Sequence, residues 1–167
     1  LNESVISIHA QAFSNIQNEG SILLARDSRS HGETLIEATC QALKQSGREV
    51  INYGIIPTPT AQFLVEQNQM AGGIVITASH NPTEWNGMKF IDADGCFLDG
   101  QKNITLFQIA DDGPEPSNTE GTIHKESNGH LPHIQHTLQL SSIHTEAIQK
   151  KHYTVVVDAV NGAGYQA

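Results

Sequence analysis

"GGIVITASHNPTEWNGMKF", Gly72 to Phe90, is the stretch from which the fold is read. Ile74-Val75-Ile76-Thr77 is a continuous β-branched run and reads as a buried strand. The chain then turns polar at Ala78-Ser79-His80-Asn81-Pro82 and becomes strand-like again from Met88. The return from Thr77 to Met88 is too short for a crossover helix, so one antiparallel pairing is expected here. Lys89, the only Lys or Arg between Glu49 and Gln101, lies on the returning strand.

On either side, strand-like and helix-like segments alternate. Val5, Ile8, Ala12, Phe13 and Ile16 have helical spacing, which predicts a helix over 4–17. "SILLA" (21–25) suits a buried strand, and "RDSRSHG" follows as a polar loop. Ile36, Cys40 and Leu43 share a face of a second helix over 33–46, stopped by Gly47. "EVINYG" reads as a strand, "IPTPT" as a loop, and 61–67 as a helix with Thr60 as its cap. "DADG" is a turn, and 100–110 is helical. Residues 111–130 read as a surface loop or linker, 131–151 as weakly helical, and "YTVVVDAVNGAG" as a fresh strand and Gly-rich turn. Alternation of this kind predicts an α/β fold: a three-layer α/β/α domain with a mostly parallel mixed sheet. Residues 1–150 are expected to form that domain, with a linker helix toward its end, and 151–167 to open a second, truncated one.

Composition narrows the function. A chain of 167 residues, 38% hydrophobic, suits one domain or one domain and part of another. No apolar run approaches the roughly 18 residues of a membrane span. Two cysteines do not make a disulfide framework, so a reducing cytoplasm is the expected setting. Without a secretion signal, the glycosylation patterns at Asn2 and Asn103 read as chance. The net charge of -9 argues against nucleic acid. An anionic substrate would need its charge neutralised by few local residues, by a metal, or by protein beyond this chain.

Ser79 is the pivot of the polar stretch. Adjacent side chains in an extended segment point apart, so His80 beside Ser79 does not make a hydrolase pair. "TASHN" also lacks the glycines of the hydrolase elbow. A serine carrying a transferable phosphoryl group suits the loop better, with Thr77, His80 and Asn81 supplying hydrogen bonds. Lys89 points opposite to Met88 and Phe90, so a core-facing pair would turn the amine outward, where the hairpin returns it toward Ser79. An amine there holds a phosphate or exchanges protons with a sugar hydroxyl. On spacing alone, a plain polar loop over 78–87 and a solvated surface lysine are the favoured reading.

The whole string resembles the active-site serine loop of the α-D-phosphohexomutases, the phosphoglucomutases, phosphomannomutases and phosphoglucosamine mutases. Thr77, Ser79, His80, Asn81, Pro82, Asn86, Gly87 and Lys89 match the pattern Thr-x-Ser-His-Asn-Pro followed by Asn-Gly-x-Lys. "ARDSR" (25–29) is similar to the family's Gly-Arg-Asp-x-Arg segment, with Ala25 in place of Gly. "GIIPTPT" (54–60) and "VVVDAVNGAG" (155–164) resemble further family segments, the latter the start of its second domain.

The resemblance implies a phosphoserine mechanism. Phosphorylated Ser79 would pass its phosphoryl to a glucose, mannose or glucosamine phosphate, and the resulting sugar bisphosphate would return its other phosphate. It also implies roles for residues. Ser79 is the phosphoryl carrier and, through its phosphate, a ligand of Mg2+; the remaining ligands would be aspartates of a second domain. Lys89 is the general acid/base, and His80 assists beside the phosphoserine. Arg26, Arg29, Asn81 and Asn86 orient the site or bind substrate. A sugar 1,6-bisphosphate is the implied activator. The implied partners are a hexose phosphate and the other domains of the same polypeptide, with no nucleic acid and no membrane. Residues 1–167 lack the family's metal, sugar-specificity and C-terminal phosphate loops, so they are expected to be an N-terminal fragment inactive by itself. The competing readings are a non-catalytic binding or regulatory relative and, less consistent with the loop, a serine hydrolase.

Other signals are weaker. His130, His133 and His136 recur every three residues and read as a polar helix face rather than a zinc site. Cys40 and Cys96 read as a packed and a partly exposed thiol. "NGAG" (161–164) reads as a tight turn, and Trp85 as a loop-packing residue or a sugar platform.

Overall fold

The computed structural model describes residues 2–82 and 84–166. The chain begins with helix α1 (Glu3–Ile16), capped where the Asn2 side chain accepts the Val5 N–H. Strand β1 (Ile22–Arg26), helix α2 (Gly32–Gln45), strand β2 (Val50–Ile55) and helix α3 (Thr58–Gln67) follow. Next come the hairpin strands β3 (Gly72–Ile76) and β4 (Met88–Asp92), and then α4 (Gly100–Asp112). A short strand β5 (Ile123–Lys125) and two short helices, α5 (His130–Leu138) and α6 (Thr145–Gln149), complete the elements.

The sheet has the order β4-β3-β1-β2-β5. All neighbours are parallel except β3 and β4. Strand alternation divides the core into two layers. Ile22, Leu24, Ile74, Ile76 and Phe90 pack with Ile6, Phe13, Leu43 and Leu106 beneath α1, α2 and α4. Leu23, Ala25, Val75 and Ile91 pack with Ala61, Leu64 and Val65 of α3 on the other face. The expected three-layer α/β/α fold with a mostly parallel sheet is the observed one. Gly73 allows the second layer to close, since a Cβ there would lie 2.9 Å from a Val65 methyl.

Topology determines where a site can form. From β1 the chain crosses over α2 to β2 on one side. From β2 it returns over α3 to β3 on the other side of β1. Right-handed crossovers running in opposite directions put α2 and α3 on opposite faces. The connection leaving β1 leads over α2 toward β2, whereas the connection leaving β3 turns the other way, into β4. They open a crevice at the carboxyl ends of those two strands, the topological switch point where α/β sheets place ligands. Arg26 and Asp27 stand at one lip and Thr77 to Ser79 at the other.

The structure corrects three expectations. Helix α3 starts at Thr58 behind an N-cap at Pro57, so Thr60 is not the cap. Pro59 is tolerated in the first turn because its missing N–H has no intrahelical partner there. Thr60 is buried instead, its hydroxyl 3.0 Å from His133 Nδ1 of α5. The loop expected over 111–130 contains β5. This edge strand is three residues long and half polar in character, so it leaves no apolar run to read. The strand expected at 153–157 does not form. Val155, Val156 and Val157 are 74%, 91% and 81% exposed, and no described strand lies alongside to complete a ladder. Among the described residues, no helix is long and apolar enough to cross a membrane.

Candidate active site

The site is assembled from the segment after β1 and the segment after β3. The Asp27 N–H donates to the Ile76 carbonyl at 3.0 Å and extends the β1–β3 pairing into the loops. The Asp27 carboxylate then accepts from the Arg29 N–H at 3.0 Å, from Arg29 Nε at 2.9 Å and from Thr77 Oγ1 at 2.8 Å. With its hydrogen given to Asp27, the Thr77 hydroxyl accepts the Ser79 N–H at 3.1 Å.

Arg29 ties down the other side of the loop. Nη2 donates to the Ser79 carbonyl at 2.7 Å and to the Asn81 carbonyl at 2.9 Å. Nη1 reaches the carbonyls of Asn81, Pro82 and Trp85 at 3.2, 3.0 and 3.4 Å. A planar guanidinium with forked donors can serve Asp27 and several carbonyls together. Held at both its N–H and its C=O, Ser79 adopts φ +54°, the left-handed region that L-residues enter at a cost. The Ser79 side chain is exposed and borders a cleft of about 440 Å3. Asp27, Thr58, Val75 and Thr77 line this cleft together with Val160, Gly162 and Ala163.

The residues singled out from sequence are placed unequally. Ser79 is on the cleft and Arg29 lies beneath it. Asn81 contributes its carbonyl to Arg29 and its N–H to a turn closing on Ala78 at 3.1 Å, so its backbone braces the loop. His80 is exposed on the loop. Arg26 points away, toward a second cleft shared with Glu33, Cys40 and Lys125. From there it donates to the Asp27 and Arg29 carbonyls at 3.1 and 3.2 Å, bracing the segment from behind. Asn86 lies outside the Ser79 cleft, its Oδ1 buried without a partner among the described residues. Lys89 pairs across the hairpin with Val75 and shares its face of the sheet, the face that borders the cleft. Its ammonium turns outward, however, and lies 5.5 Å from the centroid of the Phe97 ring.

Sequence reasoning passed over Asp27. The available signal was an acid between two arginines directly after a buried strand. The weaker signals resolve simply. His133 stacks on Phe63 at 4.9 Å between centroids, and His136 lies tilted at 5.1 Å. "NGAG" forms a tight turn, with Val160 and Asn161 left-handed and the Gly162 N–H bonded to the Ala159 carbonyl. Trp85 is exposed.

The described residues do not compose a magnesium site. No group of three or more His, Cys, Asp or Glu converges among them. Asp27, the carboxylate nearest Ser79 in the network, is already occupied by three donors.

The family model described as phosphoglucomutase/phosphomannomutase, alpha/beta/alpha domain I, matches residues 1–116. The chain belongs to this family. A phosphoglucomutase/phosphomannomutase from Thermococcus kodakarensis is 37% identical over 146 residues, 86% of this chain and 31% of that protein. A phosphoglucosamine mutase from Limosilactobacillus reuteri is 34% identical over 152 residues, 88% of this chain and 33% of that protein. One from Prochlorococcus marinus (strain MIT 9312) is 46% identical over 82 residues, 49% of this chain and 18% of that protein. The chain thus spans a third or less of the length of these relatives. Its fold is shared with a phosphoglucomutase/phosphomannomutase family protein from Burkholderia thailandensis, with a TM-score of 0.67 and 24% identity over 76% of this chain and 30% of that one.

Proposed function

We propose that residues 1–167 are the phosphoserine-carrying N-terminal part of a cytoplasmic phosphohexomutase, with a domain boundary near residue 150 and the rest of the site supplied by the same polypeptide. The supporting observation is the conformation of Ser79: left-handed, exposed, fixed at N–H and C=O, and set at the switch point of the sheet. Left-handed non-glycine residues also occur in ordinary turns here, at Gln69, Asn128 and Asn161. At Ser79 the conformation coincides with a cleft and with hydrogen bonds on both sides, which suits a serine that must present its Oγ repeatedly to one point.

In the proposed reaction the P–Oγ bond of phosphorylated Ser79 breaks as a P–O bond forms to a hydroxyl of a hexose monophosphate. The hydroxyl's proton is delivered to Ser79 Oγ. After the bisphosphate turns over, its other phosphate returns to Oγ, and the proton goes back to the sugar oxygen released. Lys89 is the proposed carrier of these protons. This role requires the ammonium to leave Phe97 and swing along its own face toward the cleft. Such chemistry depends on positioning and charge neutralisation more than on covalent assistance. Mg2+ enters the proposal only as a counter-charge bound through the seryl phosphate, and no step is assigned to it. The sugar is glucose, mannose or glucosamine phosphate.

The test is phosphopeptide mapping of the full-length protein incubated with Mg2+ and glucose or mannose 1,6-bisphosphate, with Ser79→Ala as control. Phosphate confined to Ser79 supports the reading. An unmodified Ser79 in folded, metal-loaded protein sinks it for those sugars and leaves the glucosamine bisphosphate to be tried.

A further inference from the structure

Asp27 makes no hydrogen bond to Ser79 itself, yet it holds both side chains that do, Arg29 and Thr77. Its carboxylate meets three donors: the Arg29 N–H, Arg29 Nε and Thr77 Oγ1. We propose that Asp27 and Thr77 are positioning residues that hold the Ser79 backbone in its left-handed, transfer-ready conformation. The proposal deepens the phosphoserine reading and rests on it for its catalytic part.

The chemistry requires a carboxylate. All three partners donate, so both oxygens must accept. An asparagine offers one acceptor oxygen and one NH2, and whichever way it turns, its NH2 faces a donor. The same logic fixes Thr77. Its only hydrogen is committed to Asp27, which leaves a lone pair directed at the Ser79 N–H. Without Asp27 the hydroxyl is free to rotate, and its lone pair is no longer fixed on that N–H.

Asp27 also governs what Arg29 can do. Opposed by the carboxylate and by four loop carbonyls, the guanidinium is fully used beneath the loop. It holds the backbone of Ser79 and leaves a phosphoryl on Oγ free to depart. A guanidinium released from Asp27 would be drawn to that phosphoryl. It would stabilise the ground state as well as the transition state, which does not raise turnover.

The test uses the full-length protein with Asp27→Asn, Thr77→Val and Thr77→Ser. Two quantities are read: steady-state turnover of a hexose phosphate, and amide hydrogen exchange of the peptide spanning 77–87. Asp27→Asn and Thr77→Val are expected to lower kcat by about 10- to 100-fold, with KM changed by less than about threefold, as a displaced reacting group does. Exchange over 77–87 accelerates in both. Thr77→Ser, which keeps the hydroxyl, restores both quantities. Parent-like kcat and exchange in Asp27→Asn and Thr77→Val overturn the proposal, and so does faster exchange with unchanged kcat. Exchange accelerated throughout β1 and β3 also overturns it, marking Asp27 as a determinant of the fold. A parent protein with no turnover and no phosphate on Ser79 removes the mutase reading and the catalytic part with it. The exchange arm still decides by itself whether Asp27 and Thr77 hold the loop.

Discussion

Arg29 Nη2 donates to the Ser79 carbonyl oxygen across 2.7 Å, linking the end of β1 to the end of β3 over fifty residues of sequence. The same side chain meets Asp27 and the carbonyls of Asn81, Pro82 and Trp85. A lysine carries the same charge on a single nitrogen with three donors and cannot reach these acceptors together. Arg29→Lys is therefore expected to destabilise the domain by about 2 kcal/mol, the scale of losing charged hydrogen bonds. Chemical denaturation measures the loss. Limited proteolysis should show new cutting within 79–86. A variant with parent-like stability and an uncut loop would show that charge alone suffices.

The left-handed conformation of Ser79 bears on stability. At φ +54° any L-residue is strained, and only glycine is not. Ser79→Gly should raise stability by about 0.5–1 kcal/mol, with part of the relief cancelled by glycine's greater freedom in the unfolded chain. Ser79→Ala keeps the strain and should gain nothing. Neither variant can accept a phosphoryl group. Paired denaturation curves decide the matter: a Gly variant no more stable than the Ala variant would mean that the left-handed conformation is not costly here.

The layers of this fold were legible because its helices and inner strands have periodic apolar faces. Leu23 and Leu24 alternate between two cores, and Ile36, Cys40 and Leu43 lie along one helix face. The segments that misled are those stabilised by tertiary contacts. β5 is held by pairing Ile123 with Val50 and has no pattern of its own. The valines at 155–157 have strand character, but a strand exists only beside another. Within the site, the motif around Ser79 was visible as a string. The geometry that gives it meaning was not, because Asp27 and Arg29 come from another strand, and a sequence does not state which loops meet. Lys89 illustrates the same limit. Strand alternation gave its face, whereas the direction of its ammonium depends on Phe97, placed opposite Ile91 by a later turn.

The two thiols should separate chemically. Cys40 is buried between α2 and Asn52, and burial pushes its pKa up to about 11, with the Asn52 hydrogen bond opposing in part. Cys96 is exposed after the 92–95 turn. Reaction requires the thiolate and access to it. In native protein at pH 8, iodoacetamide should label Cys96 and leave Cys40 untouched, with Cys40 reacting only on denaturation. Mass spectrometry of tryptic peptides reads the two sites separately. Equal labelling of both would show that the α2–β2 layer opens on the labelling timescale.

Asp92 gives the domain a small acid-sensitive contribution. Partial burial raises its pKa, but the Lys102 ammonium, the Ala93 N–H and Gln17 outweigh this and hold the carboxyl below its ordinary value. A carboxyl with a depressed folded-state pKa adds stability above its unfolded pKa. That stability is lost as pH falls through the folded value. Lys102→Met should therefore destabilise the domain at pH 7 and lose its effect in acid, below the usual aspartate range near 4. The lysine is 43% exposed, so water screens the pair and the expected difference at pH 7 is about 0.5–1 kcal/mol. Melting curves of the parent and the variant from pH 7 down to about 3 should converge as Asp92 takes up its proton. If the gap stayed constant across that range, Lys102 would be acting through the packing of its methylenes and not through its charge.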